Sequence, residues 1–400
     1  MLYTPNFSFK FDNYYTGRAR TGVITTPHGI IETPTFVFCA TKAAIKGISS
    51  KQLQEIGTQV ILSNTYHLML QPGKLIVDNL GGLQEMTGWK GPMLTDSGGF
   101  QIFSLGYGSF TKEIKENFLF NNRKTLIKID DSGATFKSYL DGSLHKLTPE
   151  KSIQIQRKLG ADLIVVLDEC TSFHENKEYI KMSMERSHLW AKRSLNEFNI
   201  INNGKQSLYG IIQGGVYKDL RIISTDFINA NDFFGYAIGG SLGVDRDQMD
   251  SIVEFTVENL SPNRPIHLLG IGSIRDIFSG VMQGIDSFDS VHPTRLARHG
   301  GALVQPDEWE GIDFNLKESL NLRNSIFSSD DRPISGKCFC NTCRSFSRGY
   351  LHYLLKAKEM LAFQAISLHN IYFINQLMLA IRNSLSSSTF EEERKKWVSY

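Results

Sequence analysis

The sequence carries almost no charge imbalance: 43 Lys and Arg stand against 41 Asp and Glu, a net charge of +2 with ten His neutral. A chain that held nucleic acid by bulk charge would be far more basic, so any such surface here is a local patch of particular residues. Long apolar runs are also missing. The longest, such as Leu163–Leu167, fall far short of the roughly 20 residues of a membrane span. Residues Met1–Arg18 hold neither an apolar core nor a small-residue cleavage site, so no export signal is expected and the expected compartment is the cytosol. Cysteine is scarce, with five in 400 residues, and an odd count in a reduced compartment argues against a disulfide framework. Two of them, Cys39 and Cys170, stand apart; Cys338, Cys340 and Cys343 fall within six positions. A hydrophobic share of 41% excludes wholesale disorder, and the length suits one large barrel or two ordinary domains.

Eight short apolar or β-branched runs recur, most of them ending in Gly or a polar side chain. They are Thr35–Cys39, Gln59–Ser63, Pro92–Thr95, Leu163–Leu167, Leu208–Ile212, Phe233–Ile238, Ile266–Leu269 and Ser287–Val291. The intervening segments read as helices: Thr148–Pro149–Glu150 starts one that runs through Leu159, and Tyr179–Phe198, Tyr217–Ile228 and Asp245–Asn259 are similar. Strands alternating with helices over this length predict an α/β fold, a (β/α)8 TIM barrel, with an open doubly wound sheet as the alternative. The barrel is favoured by Asn64, Asp96, Asp168, Gln213, Gly239–Gly240, Gly270 and Asp289, which all fall at strand C-terminal ends, where a barrel gathers its active site.

The expected domains are a catalytic barrel over 1–336 and a zinc-binding helical subdomain over 337–400 packed on it. Phe110–Leu147 reads as a β-hairpin insertion in the barrel, Thr125–Ile129 and Ala134–Leu140 joined by Asp130–Asp131–Ser132–Gly133. Gly300–Gly336 is loop-rich. Helices are expected over Tyr350–Met360 and Leu368–Leu385, with a polar break at Ser386–Ser388 before the charged end Glu391–Lys396. Cys338, Cys340 and Cys343, followed after 25 residues by His369, offer three thiolates and an imidazole, a set that suits tetrahedral Zn²⁺. His352 is an alternative fourth ligand. A Cys3His site has no open position, so the ion would be structural, one per subunit.

Asp96, Asp168 and Asp289 each admit two readings. The segment Asp96–Ser97–Gly98–Gly99–Phe100 could be a plain turn or a catalytic loop; Asp168 could sit in an ion pair or bind a ligand. Asp289 precedes Arg295 and Arg298, as part of an ion-pair network or as a nucleophile beside phosphate-binding guanidiniums. Three carboxylates on one barrel face suggest displacement at an anomeric carbon, with one carboxylate as nucleophile and another as acid/base. Gln213 and the backbone at Gly239–Gly240 add amide donors suited to a base carbonyl.

Leu94–Leu105 (LTDSGGFQIFSL), Thr135–Leu147 (TFKSYLDGSLHKL), Leu167–Thr171 (LDECT), Ile212–Gly215 (IQGG), Pro293–Arg298 (PTRLAR) and the cysteine cluster occur in one order. Together they make the chain resemble the bacterial tRNA-guanine transglycosylases from about Gly17 to Met378. The resemblance implies exchange of guanine 34 in tRNAs with a GUN anticodon (the Asp, Asn, His and Tyr isoacceptors) for a 7-deazaguanine, in queuosine biosynthesis. It implies a covalent tRNA intermediate with Asp289 as nucleophile and Asp96 as general acid/base. The base would be held by Asp96, Ser97, Gly98, Gly99, Phe100, Asp168, Gln213 and Gly240, with Phe100 stacked on it. The tRNA would be contacted by Gly270, Ile271, Gly272, Ser273, Ile274, Arg275 and Asp276, and by Thr294, Arg295, Leu296, Ala297 and Arg298. The resemblance also implies a homodimer. A zinc-dependent barrel hydrolase and a non-catalytic tRNA-binding relative are the rival readings.

Departures from the usual bacterial pattern occur at Gly239–Asp245 (GGSLGVD, against Gly-Gly-Leu-Ala-Val-Gly-Glu), at His267 and Leu269 (commonly Tyr and Met) and at Cys39 (commonly Val). Gly243 in place of Val would remove part of a pocket wall, giving the expectation of room for the larger base queuine beside 7-aminomethyl-7-deazaguanine.

Overall fold

Eight parallel strands close into a barrel in a computed structural model that describes residues 6–12, 15, 17–106, 125–240, 242–308 and 318–398. They are β1 (Thr35–Cys39), β2 (Ile61–Ser63), β3 (Met93–Thr95), β4 (Leu163–Val165), β5 (Ser207–Ile212), β6 (Gly235–Ile238), β7 (Ile266–Leu268) and β8 (Ser287–Ser290). Neighbours in sequence pair in order, and β8 closes on β1 with Ser287 opposite Thr35 and Ser290 opposite Phe38. Nearly every residue of these strands is buried, because helices cover the outer face while side chains fill the interior. Such strands read as continuous apolar runs, which is why all eight are found where the sequence places them, most of them shortened by a residue or two.

The helices start where side chains can satisfy their free N–H groups. Thr148 accepts from Lys151 N ahead of Pro149–Leu159, which ends at left-handed Gly160, and Asp245 accepts from Gln248 N ahead of Arg246–Glu258. The expected helix Tyr350–Met360 is corrected: it spans Arg348–Lys356, and Lys358 at φ 60° separates it from Met360–Ser386. That second helix starts eight residues before the predicted Leu368, and Phe390–Trp397 follows it. It packs two ways. Ala362, Ala365 and Ile366 join a cluster with Leu351, Leu320, Ala302 and Ala297, while Ile371, Leu377, Ile381 and Leu385 belong to the barrel core.

Three antiparallel elements exceed the sequence reading, one of them the pairing of Gly301–Leu303 with Ser319–Asn321 inside the segment read as loop-rich. Residues 125–147 form three strands, not two: Leu126–Asp130, Gly133–Lys137 and Leu144–Leu147, with the preceding part of the insertion, 107–124, outside the described residues. The three-stranded sheet Ser8–Phe11, Gly22–Thr26 and Gly29–Thr33 was not anticipated. It lies at the N-terminal ends of the barrel strands, the end opposite the strand termini singled out above. Arg20 forks onto Asp286, the residue before β8, at 2.9 and 2.6 Å, and also donates to the Pro262 and Arg264 carbonyls. Beside it His28 meets Asp162, whose carboxylate also accepts from Gln84 and from the Met93 N–H.

Asp286 is fully buried, and burial pushes its pKa up against the pull of Arg20. Replacing Arg20 with Met is expected to cost about 3–5 kcal/mol of stability by stranding that carboxylate. Chemical denaturation of the two proteins checks this; an unchanged midpoint would show that the pair is replaceable.

Candidate active site and metal centre

The C-terminal ends of the barrel strands bring Asp96, Asp168, Gln213, Gly240, Gly270 and Asp289 together. Asp96 follows β3. Its Oδ1 accepts from the Thr65 N–H at 2.8 Å and its Oδ2 from the Asn64 amide, while Thr65 Oγ1 donates to its carbonyl. Asn64 accepts in turn from His67 N and so caps the helix Thr65–Leu70. Burial, and then the charges of Asp289 and Asp168, push the Asp96 carboxyl up to about 7. Asp168 lies three residues beyond β4, accepts from Gln213 Nε2 at 2.7 Å and has Ser97 Oγ at 3.5 Å; burial pushes it up to about 6.

Asp289 sits on β8. Its Oδ1 accepts from the Gly270 N–H at 2.9 Å and meets His267 Nε2 at 3.1 Å. Its Oδ2 has the Cys39 thiol 3.6 Å away, and burial and the Asp289 charge keep that thiol well above its ordinary pKa. Three acids therefore share one mouth in three settings, the situation in which proton affinities separate.

Backbone shape completes the pocket. Gly240 has φ +81°, and a Cβ there would lie 2.6 Å from Gln213 Oε1; a Cβ on Gly99 would meet the Asp168 carbonyl at 2.7 Å. Only glycine fits these two positions. Phe100, on the helix Gly99–Gly106, keeps 54% of its surface exposed and stands open to stacking.

Arg221, which the sequence reading passed over, is wholly buried and meets no carboxylate among the described residues. It donates to the carbonyls of Ile212, Gly215 and Gly239, tying the β5 and β6 ends that carry Gln213 and Gly240. Thr65 went equally unassigned, and Asn64 was placed at a strand end without a role. Their only trace in the sequence is a capping residue directly after a strand.

The two segments expected to contact tRNA flank Asp289. Gly270, at φ +74°, leads into Ile271 and Gly272, the latter packed on Ser290 and Phe36. Ser273 then caps the helix Ile274–Gln283 by accepting from Asp276 N, and Glu318 accepts from the Ile274 and Arg275 N–H groups. Thr294 and Ala297 are buried in the helix His292–Arg298, and Leu296 is half-buried. Arg295 and Arg298 form no ion pair among the described residues, and burial followed by the charge of Arg295 lowers the pKa of Arg298. Two unneutralised guanidiniums this close suit an anion.

Gly243 requires a correction. Its φ is +136°, and a Cβ there would strike Gln248 Oε1 at 2.8 Å and Gln248 Cβ at 2.9 Å. Gln248 Oε1 accepts from the Val244 N–H. The absent side chain would point at the helix start, so this glycine serves the turn into Arg246–Glu258 and opens no pocket wall. Ser241 lies outside the described residues.

At the other end of the helix His292–Arg298 lies the second cluster. The ligand atoms of Cys338, Cys340, Cys343 and His369 lie within 4.8 Å of one another, and the group could hold a metal ion. His369 Nδ1 faces the Sγ atoms of Cys343 at 3.3 Å and of Cys338 and Cys340 at 3.6 Å. Its Nε2 is 2.7 Å from the Leu303 carbonyl, which can only accept, so the hydrogen is on Nε2 and Nδ1 is left for the ion. His352 is elsewhere, on the Leu322 carbonyl, which leaves His369 as the fourth ligand.

The raised Asp96 pKa gives a signed prediction. Between its ordinary value of 3.8 and about 7 the folded protein binds a proton that the unfolded chain has released, so this group costs stability increasingly as pH rises through that window. Asp96→Asn is therefore expected to stabilise the protein more at pH 8 than at pH 4. Urea unfolding at both pH values tests it, and an equal effect at both would remove the shift.

A family model described as queuine tRNA-ribosyltransferase matches residues 14–400. A queuine tRNA-ribosyltransferase from Roseiflexus sp. (strain RS-1) is 43% identical over 396 residues, covering 95% of this chain and 96% of its own. A putative queuine tRNA-ribosyltransferase from Archaeoglobus fulgidus is 41% identical over 397 residues, covering 96% and 97%. The corresponding Nostoc sp. protein is 41% identical over 382 residues, covering 95% and 94%. With a barrel, a mouth of buried acids and this similarity along nearly its whole length, the chain belongs to the queuine tRNA-ribosyltransferase family, the tRNA-guanine transglycosylases.

Proposed function

We propose that this protein exchanges guanine 34 of GUN-anticodon tRNAs, the Asp, Asn, His and Tyr isoacceptors, for a 7-deazaguanine by double displacement. The observation that carries the reading is the set of three carboxylates at one barrel mouth, Asp168 and Asp289 buried and Asp96 half-buried, each with different partners. In the proposed reaction the Asp289 carboxylate attacks C1′ of nucleotide 34. The glycosidic bond breaks, and its electron pair leaves with guanine, which takes a proton from Asp96. The incoming base loses a ring proton to Asp96 and attacks C1′ in its turn, releasing Asp289. A carboxyl pushed up to about 7 can give and take that proton near neutrality.

Asp168 and Gln213, joined at 2.7 Å, face the polar edge of the base, and the Gly240 N–H its carbonyl. Phe100 stacks on the flipped base, reached outside the helix stack. Arg295 and Arg298 take tRNA phosphate, together with Gly270–Asp276. Nothing in this arrangement selects one 7-substituent.

The metal is proposed to be structural Zn²⁺. The three Sγ atoms and His369 Nδ1 are the full complement of a tetrahedral site, and Zn²⁺ there would brace residues 337–400 against the barrel.

Asp289→Ala is expected to abolish the covalent tRNA adduct, while Asp289→Asn keeps fold and tRNA binding. Denaturing gels of enzyme with tRNA and a poor acceptor base display the adduct as a shifted band. An undiminished band from the Ala variant would move the nucleophile elsewhere, first to Asp96.

Cys340→Ser is expected to lower zinc content and thermal stability together, with activity lost only as folding is lost. Metal analysis beside a melting curve checks this. A zinc-free variant that stays folded but turns nothing over would make the ion catalytic.

A further inference from the structure

The β7–β8 register places His267 opposite Ser287. Ser287 and Asp289 are two apart on β8, so their side chains point the same way. His267 lies between them and is wholly buried. Its Nδ1 is 2.8 Å from Ser287 Oγ and its Nε2 is 3.1 Å from Asp289 Oδ1.

A carboxylate can only accept, so Nε2 donates to Asp289. In the neutral ring Nδ1 then accepts from the Ser287 hydroxyl, which fixes the tautomer. Oδ1 thus receives two N–H donors, from His267 and Gly270, while among the described residues Oδ2 has only the weakly donating Cys39 thiol. The two oxygens are inequivalent.

We propose that His267 is a positioning residue for Asp289: the buried row Ser287–His267–Asp289, with the Gly270 N–H, anchors Oδ1 and leaves Oδ2 as the oxygen that bonds to C1′. This rests on the exchange proposed above. Holding one oxygen fixes the rotation of the carboxylate, so that Oδ2 meets the anomeric carbon without a search. The same donors weaken the nucleophile slightly, since they stabilise its charge. Orientation outweighs that cost because a misaimed carboxylate cannot reach C1′ at all.

The test compares wild type with His267→Phe, His267→Gln and Ser287→Ala. The readouts are kcat, KM for tRNA, the rate of adduct formation with a poor acceptor base, and the melting temperature. Phe keeps a ring and loses the donor, whereas Gln carries an N–H at similar reach. For Phe, kcat and adduct rate are expected to fall roughly ten- to hundredfold, the loss of one hydrogen bond to a charged group. The tRNA KM should stay within about twofold, because no tRNA contact is removed. Gln should recover most of the rate, and Ser287→Ala should show a smaller fall of the same kind. A Phe variant with wild-type kcat overturns the inference. So does a Gln variant that falls as far as Phe, or a loss that tracks melting temperature across the series. If wild-type enzyme forms no adduct, the exchange reading fails and this inference with it; an adduct unaffected by His267→Phe removes the inference alone.

Discussion

A carboxylate taken out of water must be given hydrogen-bond donors or a counter-charge, and much of this structure follows from how each buried acid meets that demand. At the floor of the barrel the demand is met in full. Asp286 receives the Arg20 fork and the Ile266 N–H, and Asp162 receives His28, Gln84 and the Met93 N–H. These bonds tie the N-terminal sheet to β3, β7 and β8. At the mouth, among the described residues, the acids receive backbone N–H groups, side-chain amides and the His267 ring, and no Arg or Lys donates to them. Burial holds Asp96 and Asp168 above their ordinary pKa values, as it does Asp286, but at the mouth no guanidinium pairs with the acids among the described residues. One chemistry builds the scaffold where the pairing is complete and leaves a reactive site where it is not.

The cations obey the same rule. Arg221 is buried against carbonyls only, which fixes three loop positions without neutralising the acids nearby. A carboxylate in that place would hold Arg221 equally well, but it would add a fourth negative charge beside Asp168. Glu169, next to Asp168, is instead drawn away by Arg186 and Tyr179. Neighbouring acids in the sequence therefore end in opposite settings, Glu169 paired with a guanidinium and Asp168 with a side-chain amide.

The barrel was legible because strands covered on both faces leave continuous apolar runs, and because helix caps such as Thr148 and Asp245 act through their own neighbours. The metal cluster was legible from spacing, although only folding separates His369 from His352. The N-terminal sheet was missed since its strands are short and Ser8–Phe11 meets the central strand Gly22–Thr26 from ten residues upstream in the sequence. Gly243 was misread for a related reason. A glycine marks either a gap in a wall or a backbone bend, and the deciding contact, Gln248, belongs to the following helix. Arg221 carries no local signature, and His267 stood out only as a departure from a common Tyr; the partners of both come together only on folding.

The metal module reaches the catalytic mouth through two adjacent residues of one helix. His369 turns Nδ1 to the thiolates and donates its other nitrogen to the Leu303 carbonyl. Asn370 accepts from the Leu303 N–H and donates to the carbonyls of Pro293 and Gly301. Leu303 is thus held at both backbone groups, and the helix His292–Arg298 is pinned near its start and just beyond its end. That helix begins three residues after Asp289 and carries Arg295 and Arg298. An ion on the four ligands would fix His369 in place, and with it the backbone on which those guanidiniums are mounted. On the proposed reading, a closed metal site at one end of this helix would therefore act on how Arg295 and Arg298 meet an anion, through a short run of hydrogen bonds.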